Sequence, residues 1–201
     1  MIEECIADVR IWMISHRLLT DDTKTEVFII GSYKELSKVS IESIAVGTSV
    51  IKPVECVRNL GAWFDNRMSM DSHVVKVCIT GFRGLHSIRQ IRKFFSEEST
   101  KTLVHAFVTS HLDYCSCLLH GIPKYQCDCL QKILNAAARV IPTFDHITPI
   151  LIKLHWLPVY SKIQLKILLL AVKALEAKAP VCIRDLLKPK AAGGYTLRSD
   201  L

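Results

Sequence analysis

The sequence predicts an α+β chain. A small N-terminal part, residues 1–70, combines a helix with short antiparallel strands, and an all-helical bundle follows over residues 71–201. Three observations point there. Short β-branched and aromatic runs punctuated by Gly, Pro, Asp and Asn occur before residue 66. From residue 71 the apolar residues recur at helical spacing instead. The charge also divides: residues 1–75 carry 8 basic and 11 acidic side chains, net −3, and residues 76–201 carry 18 and 8, net +10.

The opening residues read as a helix over 2–14, with Ile2, Cys5, Ile6, Val9 and Met13 on one stripe. Residues 20–23, Thr-Asp-Asp-Thr, form a polar turn, and residues 25–30 form a strand stopped by Gly31 and Ser32. Residues 33–40 read as a polar connection. Residues 41–46 and 49–51 pair as a hairpin around Gly47, and Pro53 ends its second arm. Residues 54–64 give one further short strand, closed by Asp65 and Asn66.

In the second part, Val74, Val77, Cys78, Leu85 and Ile88 share one helical face, and Arg83, His86, Gln90 and Lys93 form another stripe. Ser96 with Glu97 and Glu98 starts a helix expected to run to about residue 119, before Gly121 and Pro123. Residues 125–141 give the next, ended by Pro142. Residues 159–178, between Pro158 and Pro180, give the last.

Half of the 201 residues are apolar, which excludes a disordered tail and a short disulfide-stapled peptide. No stretch reaches the roughly 20 apolar residues of a membrane span; the most apolar, 163–172, is broken by Lys166. Glu3, Glu4 and Asp8 do not fit a signal peptide. The eight cysteines are therefore expected to be reduced, in an intracellular compartment. Cys115-x-Cys117 and Cys127-x-Cys129 invite a zinc reading. Two residues apart on a helix, however, side chains point roughly 200° from one another, and no metal site is expected. No Gly-x-Ser-x-Gly, P-loop or His-Glu-x-x-His string occurs.

Five strings carry a resemblance. They are Trp12-Met13, Leu18-Leu19 and the run from Asp21 to Glu26 ending at Ile29-Ile30-Gly31-Ser32; Val57 to Asp65 with Met68-Ser69-Met70 and His73; Leu103 to Ser110 with Leu112-Asp113-Tyr114-Cys115; Leu130-Gln131 with Asn135 to Val140; and His146 to Pro149 with Leu154 to Val159. In this order and spacing the chain resembles the C-terminal portion of the reverse transcriptases of non-LTR (LINE-type, jockey-like) retrotransposons, from about residue 5 to 199. Tyr195 to Ser199 resembles a string interior to that family. The resemblance implies a fragment: the end of the polymerase palm, a primer-grip hairpin, the thumb and the region after it.

The implied parent activity is RNA-directed DNA polymerisation with Mg2+. The family's aromatic-Ala-Asp-Asp string occurs nowhere in this sequence, and two-metal phosphoryl transfer needs convergent carboxylates. Asp21-Asp22 is read as a turn. The expectation is a chain without polymerase activity or a cofactor of its own, retaining binding of an RNA/DNA primer-template. The family's upstream palm and fingers would be a further partner. The alternative is a non-enzymatic helical interaction module or a relic.

Lys24 aligns with a family lysine that meets the departing pyrophosphate, where a cation offsets developing charge; its plain alternative is a solvated lysine at a strand start. Gly61 and Trp63 fall in the implied primer grip. Gly61 permits close backbone approach, and Trp63 offers a ring to stack on a sugar or base, or to pack the hairpin on the thumb. Arg83, His86 and Lys93 would follow a phosphate backbone. Lys162, Lys166 and Lys173 form a second basic stripe, read as the wet side of an apolar helix.

Overall fold

The computed structural model describes residues 2–19, 21, 24–47, 49–141 and 146–187. The elements run α1 (Ile2–Ser15), β1 (Val27–Phe28), α2 (Tyr33–Leu36), β2 (Ile44–Val46), β3 (Ser49–Ile51), β4 (Pro53–Val54), β5 (Cys56–Asn59), β6 (Ala62–Asp65), α3 (Asp71–Ile91), α4 (Glu97–Val104), α5 (Ser110–Asp113), α6 (Lys124–Val140), α7 (Ile147–Lys153), α8 (Val159–Leu175) and α9 (Val181–Arg184). The chain is thus mixed helix and strand, with helix dominating after residue 70.

The strands form three separate pairs rather than one sheet. β2 and β3 pair antiparallel around Gly47, as the sequence indicates. β1 and β4 pair in parallel, Val27 opposite Pro53 and Phe28 opposite Val54, so the N-terminal part is not antiparallel throughout. Residues 54–64, read from the residues as one strand, are instead divided. β5 and β6 form a hairpin with Arg58 opposite Trp63 and Asn59 opposite Ala62. Leu60 (φ 46°) and Gly61 (φ 89°) make its two-residue turn, in the left-handed region where hairpin turns match strand twist. The resemblance implied a hairpin here; the alternation alone did not reveal it.

Residues 33–40 are not wholly a connection. Ser32 accepts the N–H of Glu35 (3.4 Å) and the Glu35 carboxylate accepts that of Ser32 (2.8 Å), a capping box on the short α2. Helix α1 forms where the stripe predicts, yet it buries no residue. A long-range hydrogen bond ties it to β2, where the Ala45 N–H donates to Glu3 Oε1 at 2.9 Å.

The core cluster lies entirely between Met70 and Ile163, built on α3 and α6. Leu85, Ile133 and Leu134 are fully buried at its centre. Two glycines of α3 set the spacing. A Cβ on Gly81 would lie 2.9 Å from Ile133 Cγ2, and one on Gly84 would lie 3.1 Å from the Phe107 carbonyl. Only a hydrogen side chain lets these segments approach so closely.

The helix expected from 96 to 119 is broken in two places. Ser96 caps its start, accepting the Ser99 N–H at 3.1 Å. A π turn over His105–Thr109 then interrupts it. At Tyr114 the backbone becomes extended, Cys115 takes φ 50°, and a 3-10 turn over Ser116–Leu119 follows. The carbonyl freed at Asp113 accepts from Lys166 Nζ, and Lys162 Nζ sits 3.1 Å from the Asp113 carboxylate. Lysines commonly satisfy such helix ends. These two members of the second basic stripe therefore hold α8 to the break; Lys173 stays exposed.

At the other end of the bundle, Arg92 spans three carbonyls: Nε to Val140 (3.0 Å), one terminal nitrogen to Ile141 (2.8 Å) and the other to Phe95 (2.9 Å). It closes the C-terminal turn of α6, whose last carbonyls have no intrahelical partner. Pro142, the expected stop, lies outside the described residues, as do Asp22 and Tyr195 to Ser199. The short helix α7 was not expected from the sequence. The Val159 N–H at the start of α8 donates to Gln131 Oε1 at 2.8 Å.

Candidate nucleic-acid interface

The residues that meet where the β5–β6 hairpin touches α3 form a polar recess. Arg58 and Trp63 are cross-strand partners, so their side chains share a hairpin face. Lys76 reaches the same ring from the second turn of α3. Lys76 Nζ is 5.1 Å, and Arg58 Cζ 6.0 Å, from the Trp63 ring centroid, both within cation–π range.

His73, one turn before Lys76, is 3% exposed. Its Nδ1 accepts the backbone N–H of Trp63 at 3.3 Å, pinning hairpin to helix. Burial holds its imidazole below the ordinary pKa, favouring the neutral ring. With Nδ1 accepting, the proton of a neutral ring sits on Nε2. That nitrogen is buried and has no hydrogen-bond partner.

Tyr114, placed by the helix break before Cys115, closes the other side. Its hydroxyl donates to the Leu60 carbonyl. Gly61 lies under its ring: a Cβ there would come within 3.2 Å of Tyr114 Cε1. Arg58, Gly61, Trp63, His73, Lys76 and Tyr114, with Val77, Thr80 and His111, line a recess of ≈ 160 Å³. None of these lining residues carries a carboxylate.

Gly61 and Trp63 both line the recess, beside partners that the sequence did not single out. Gly61 approaches the Tyr114 ring of its own chain, while Trp63 is half-buried between cations. Arg83 and His86 are exposed on α3, with His86 Nε2 3.0 Å from Gln90 Nε2. Lys93 lies past the end of α3, in the 3-10 turn Arg92–Phe94, its Nζ 4.9 Å over the Phe94 ring. The stripe read from the helical period therefore changes pitch before its last member. Lys24 is not among the residues lining the recess; its exposed ammonium pairs with Asp21 at 3.0 Å.

The carboxylates near these elements are held by partners outside the recess, Asp65 and Asp71 sharing Ser69. Asp65 accepts the N–H of Arg67 (3.2 Å) and of Ser69 (2.8 Å) in the turn leading to α3. Asp71 accepts from Gln126, from the Tyr125 hydroxyl (2.9 Å) and from Ser69 (2.9 Å), and these bonds hold its carboxyl below the usual range. Asp113 is taken by Lys162. Among the described residues, no three His, Cys, Asp or Glu side chains are grouped to hold a metal ion. The eight cysteines are free thiols; burial pushes those of Cys78 and Cys127 up.

No described helix is long and apolar enough to cross a membrane. Comparisons with protein-family models, with curated proteins and with solved structures found no match to this chain.

Proposed function

We propose that this chain is the palm-end and thumb portion of a non-LTR retrotransposon reverse transcriptase, and that its own residues bind primer-template nucleic acid. One observation carries the binding: Arg58 and Lys76 converge on Trp63 at the hairpin–α3 joint, in a recess whose lining residues include no carboxylate. Basic side chains interleaved with an aromatic ring suit a sugar-phosphate chain. Arg83, His86 and Lys93 extend the basic surface along α3 and beyond its end. The resemblance of the five strings supplies the family, and the net +10 of residues 76–201 agrees with a polyanionic partner. Polymerase chemistry is not proposed for these residues, since the family's aromatic-Ala-Asp-Asp string is not in the sequence.

The test is binding of an RNA–DNA hybrid to the full chain over a salt series. The logarithm of affinity should fall linearly with the logarithm of salt. Arg83→Gln and Lys93→Gln should each lower that slope by about 1. Affinity independent of salt contradicts the reading.

A second reading, a helical interaction module, is favoured by the exposed apolar residues Leu165, Leu168, Leu169, Val172 and Leu175 of α8. A patch of that kind marks a contact with another protein surface. Self-association in size-exclusion chromatography that Leu168→Lys and Leu169→Lys abolish, without salt-sensitive hybrid binding, would establish it in place of the first.

A further inference from the structure

We propose that the recess between the β5–β6 hairpin and α3 is a phosphate-monoester site. This deepens the nucleic-acid reading and rests on it only for a strand terminus as the source of the phosphate. Four features point to such an anion. Two cations, Arg58 and Lys76, lie within 6.0 Å of one ring centroid, and no carboxylate among the lining residues offsets them. Their combined charge matches the near-dianionic state of a phosphate monoester better than the single charge of an internal diester. Arginine and lysine are the side chains that bind such oxygens as fork and point charge.

The third feature is His73. Its Nδ1 is committed to the Trp63 N–H, so Nε2 carries the donor hydrogen, and that donor is buried without a partner. A buried orphan donor is rare and destabilising unless something accepts from it. The residue is more than nine-tenths buried and lines this recess. The fourth is size. The recess is ≈ 160 Å³, roughly ten times the ~10–15 Å³ that one water requires. It accepts a polyatomic group, with Thr80 and His111 completing the polar wall.

The experiment is a titration of the isotope-labelled full chain with three probes, followed by NMR at the Trp63 indole and the His73 ring. The probes are inorganic phosphate, a 5′-phosphorylated single-stranded oligonucleotide, and the same strand with a 5′-hydroxyl. Arg58 and Lys76 are exposed, so the R58Q/K76Q double variant leaves the core intact; equal circular dichroism and melting verify that. Lys101→Gln, an exposed lysine of α4 outside the recess, is the control. Saturable phosphate shifts at Trp63, weakened at least tenfold in the double variant and unchanged in the control, are expected. The 5′-phosphorylated strand should bind at least threefold tighter than the hydroxyl strand, with the advantage lost in the double variant. Phosphate binding at the recess with neither strand bound supports the site, assigns it to a free phosphate compound and overturns the nucleic-acid reading. Absence of phosphate shifts at Trp63 and His73, or an affinity untouched in the double variant, overturns the site even if both strands bind elsewhere.

Discussion

Gly61 lies directly beneath the Tyr114 ring: a Cβ on Gly61 would stand 3.2 Å from Tyr114 Cε1. The two residues are far apart in sequence, one at a hairpin tip and one at a helix break. The hairpin tip is fixed a second time, by the Tyr114 hydroxyl donating to the Leu60 carbonyl. The hairpin that carries Arg58 and Trp63 is thereby tied to the helix break, while His73 ties it to α3.

Gly61→Ala should be destabilising on two counts, a φ of 89° and the crowding against Tyr114. An L-residue held in such a region costs about 1–3 kcal/mol. Tyr114→Phe keeps the ring and removes only the hydrogen bond, about 0.5–1.5 kcal/mol. Urea unfolding should rank Gly61→Ala as the more damaging, and a reversed order would mean the hydroxyl, not the close approach, fixes the hairpin.

Gly81→Ala places a methyl 2.9 Å from the side chain of fully buried Ile133. Overpacking of this kind costs about 1–3 kcal/mol. A shift in the denaturation midpoint without a change in slope is expected. The added truncation Ile133→Ala removes the clashing Cγ2, so the combined loss should be smaller than the sum of the two single losses.

Arg92→Lys retains the charge and loses the planar fork that spans Val140, Ile141 and Phe95. Hydrogen bonds from a charged group are worth about 1.5–3 kcal/mol each before partial replacement by water. The variant should melt well below the parent, and hydrogen exchange should accelerate at the C-terminal turn of α6 first. Uniform acceleration across α6 would refute a capping role.

His73 sets a pH dependence. Its folded pKa is lowered by burial, so the unfolded chain binds the proton more readily. Stability is full above the unfolded value of about 6.5 and falls as pH drops from there through the lowered folded value. Asp71, also lowered, adds a second loss at the acidic end: its contribution is present above the ordinary carboxylate value and disappears as pH falls through the folded one. Asp71→Asn should flatten the acidic limb and leave the near-neutral limb, and His73→Gln should do the reverse, in urea midpoints measured across pH.

Much of the architecture is decided by local pattern. The helical period of Val74, Leu85 and Ile88, the Ser96 cap and the turn at Gly47 each act within a few residues, and the folded chain carries them as read. The resemblance, too, is a property of the strings themselves. What no local pattern holds is the π turn and the break at Tyr114, because a continuous apolar period runs through both. The missing side chains of Gly81 and Gly84 admit Ile133 and the Phe107 carbonyl, partners that no near-neighbour pattern indicates. The Arg92 guanidinium closes α6 through carbonyls of Val140 and Ile141, far along the chain. The recess is the clearest case. Arg58, Trp63, His73, Lys76 and Tyr114 come from a hairpin, a helix and a helix break, and only packing decides that their side chains meet. Sequence determines periodicity, caps and turns because those are interactions between near neighbours. Tertiary structure alone decides which charges share a cavity, since that depends on distances between segments that the chain order does not fix.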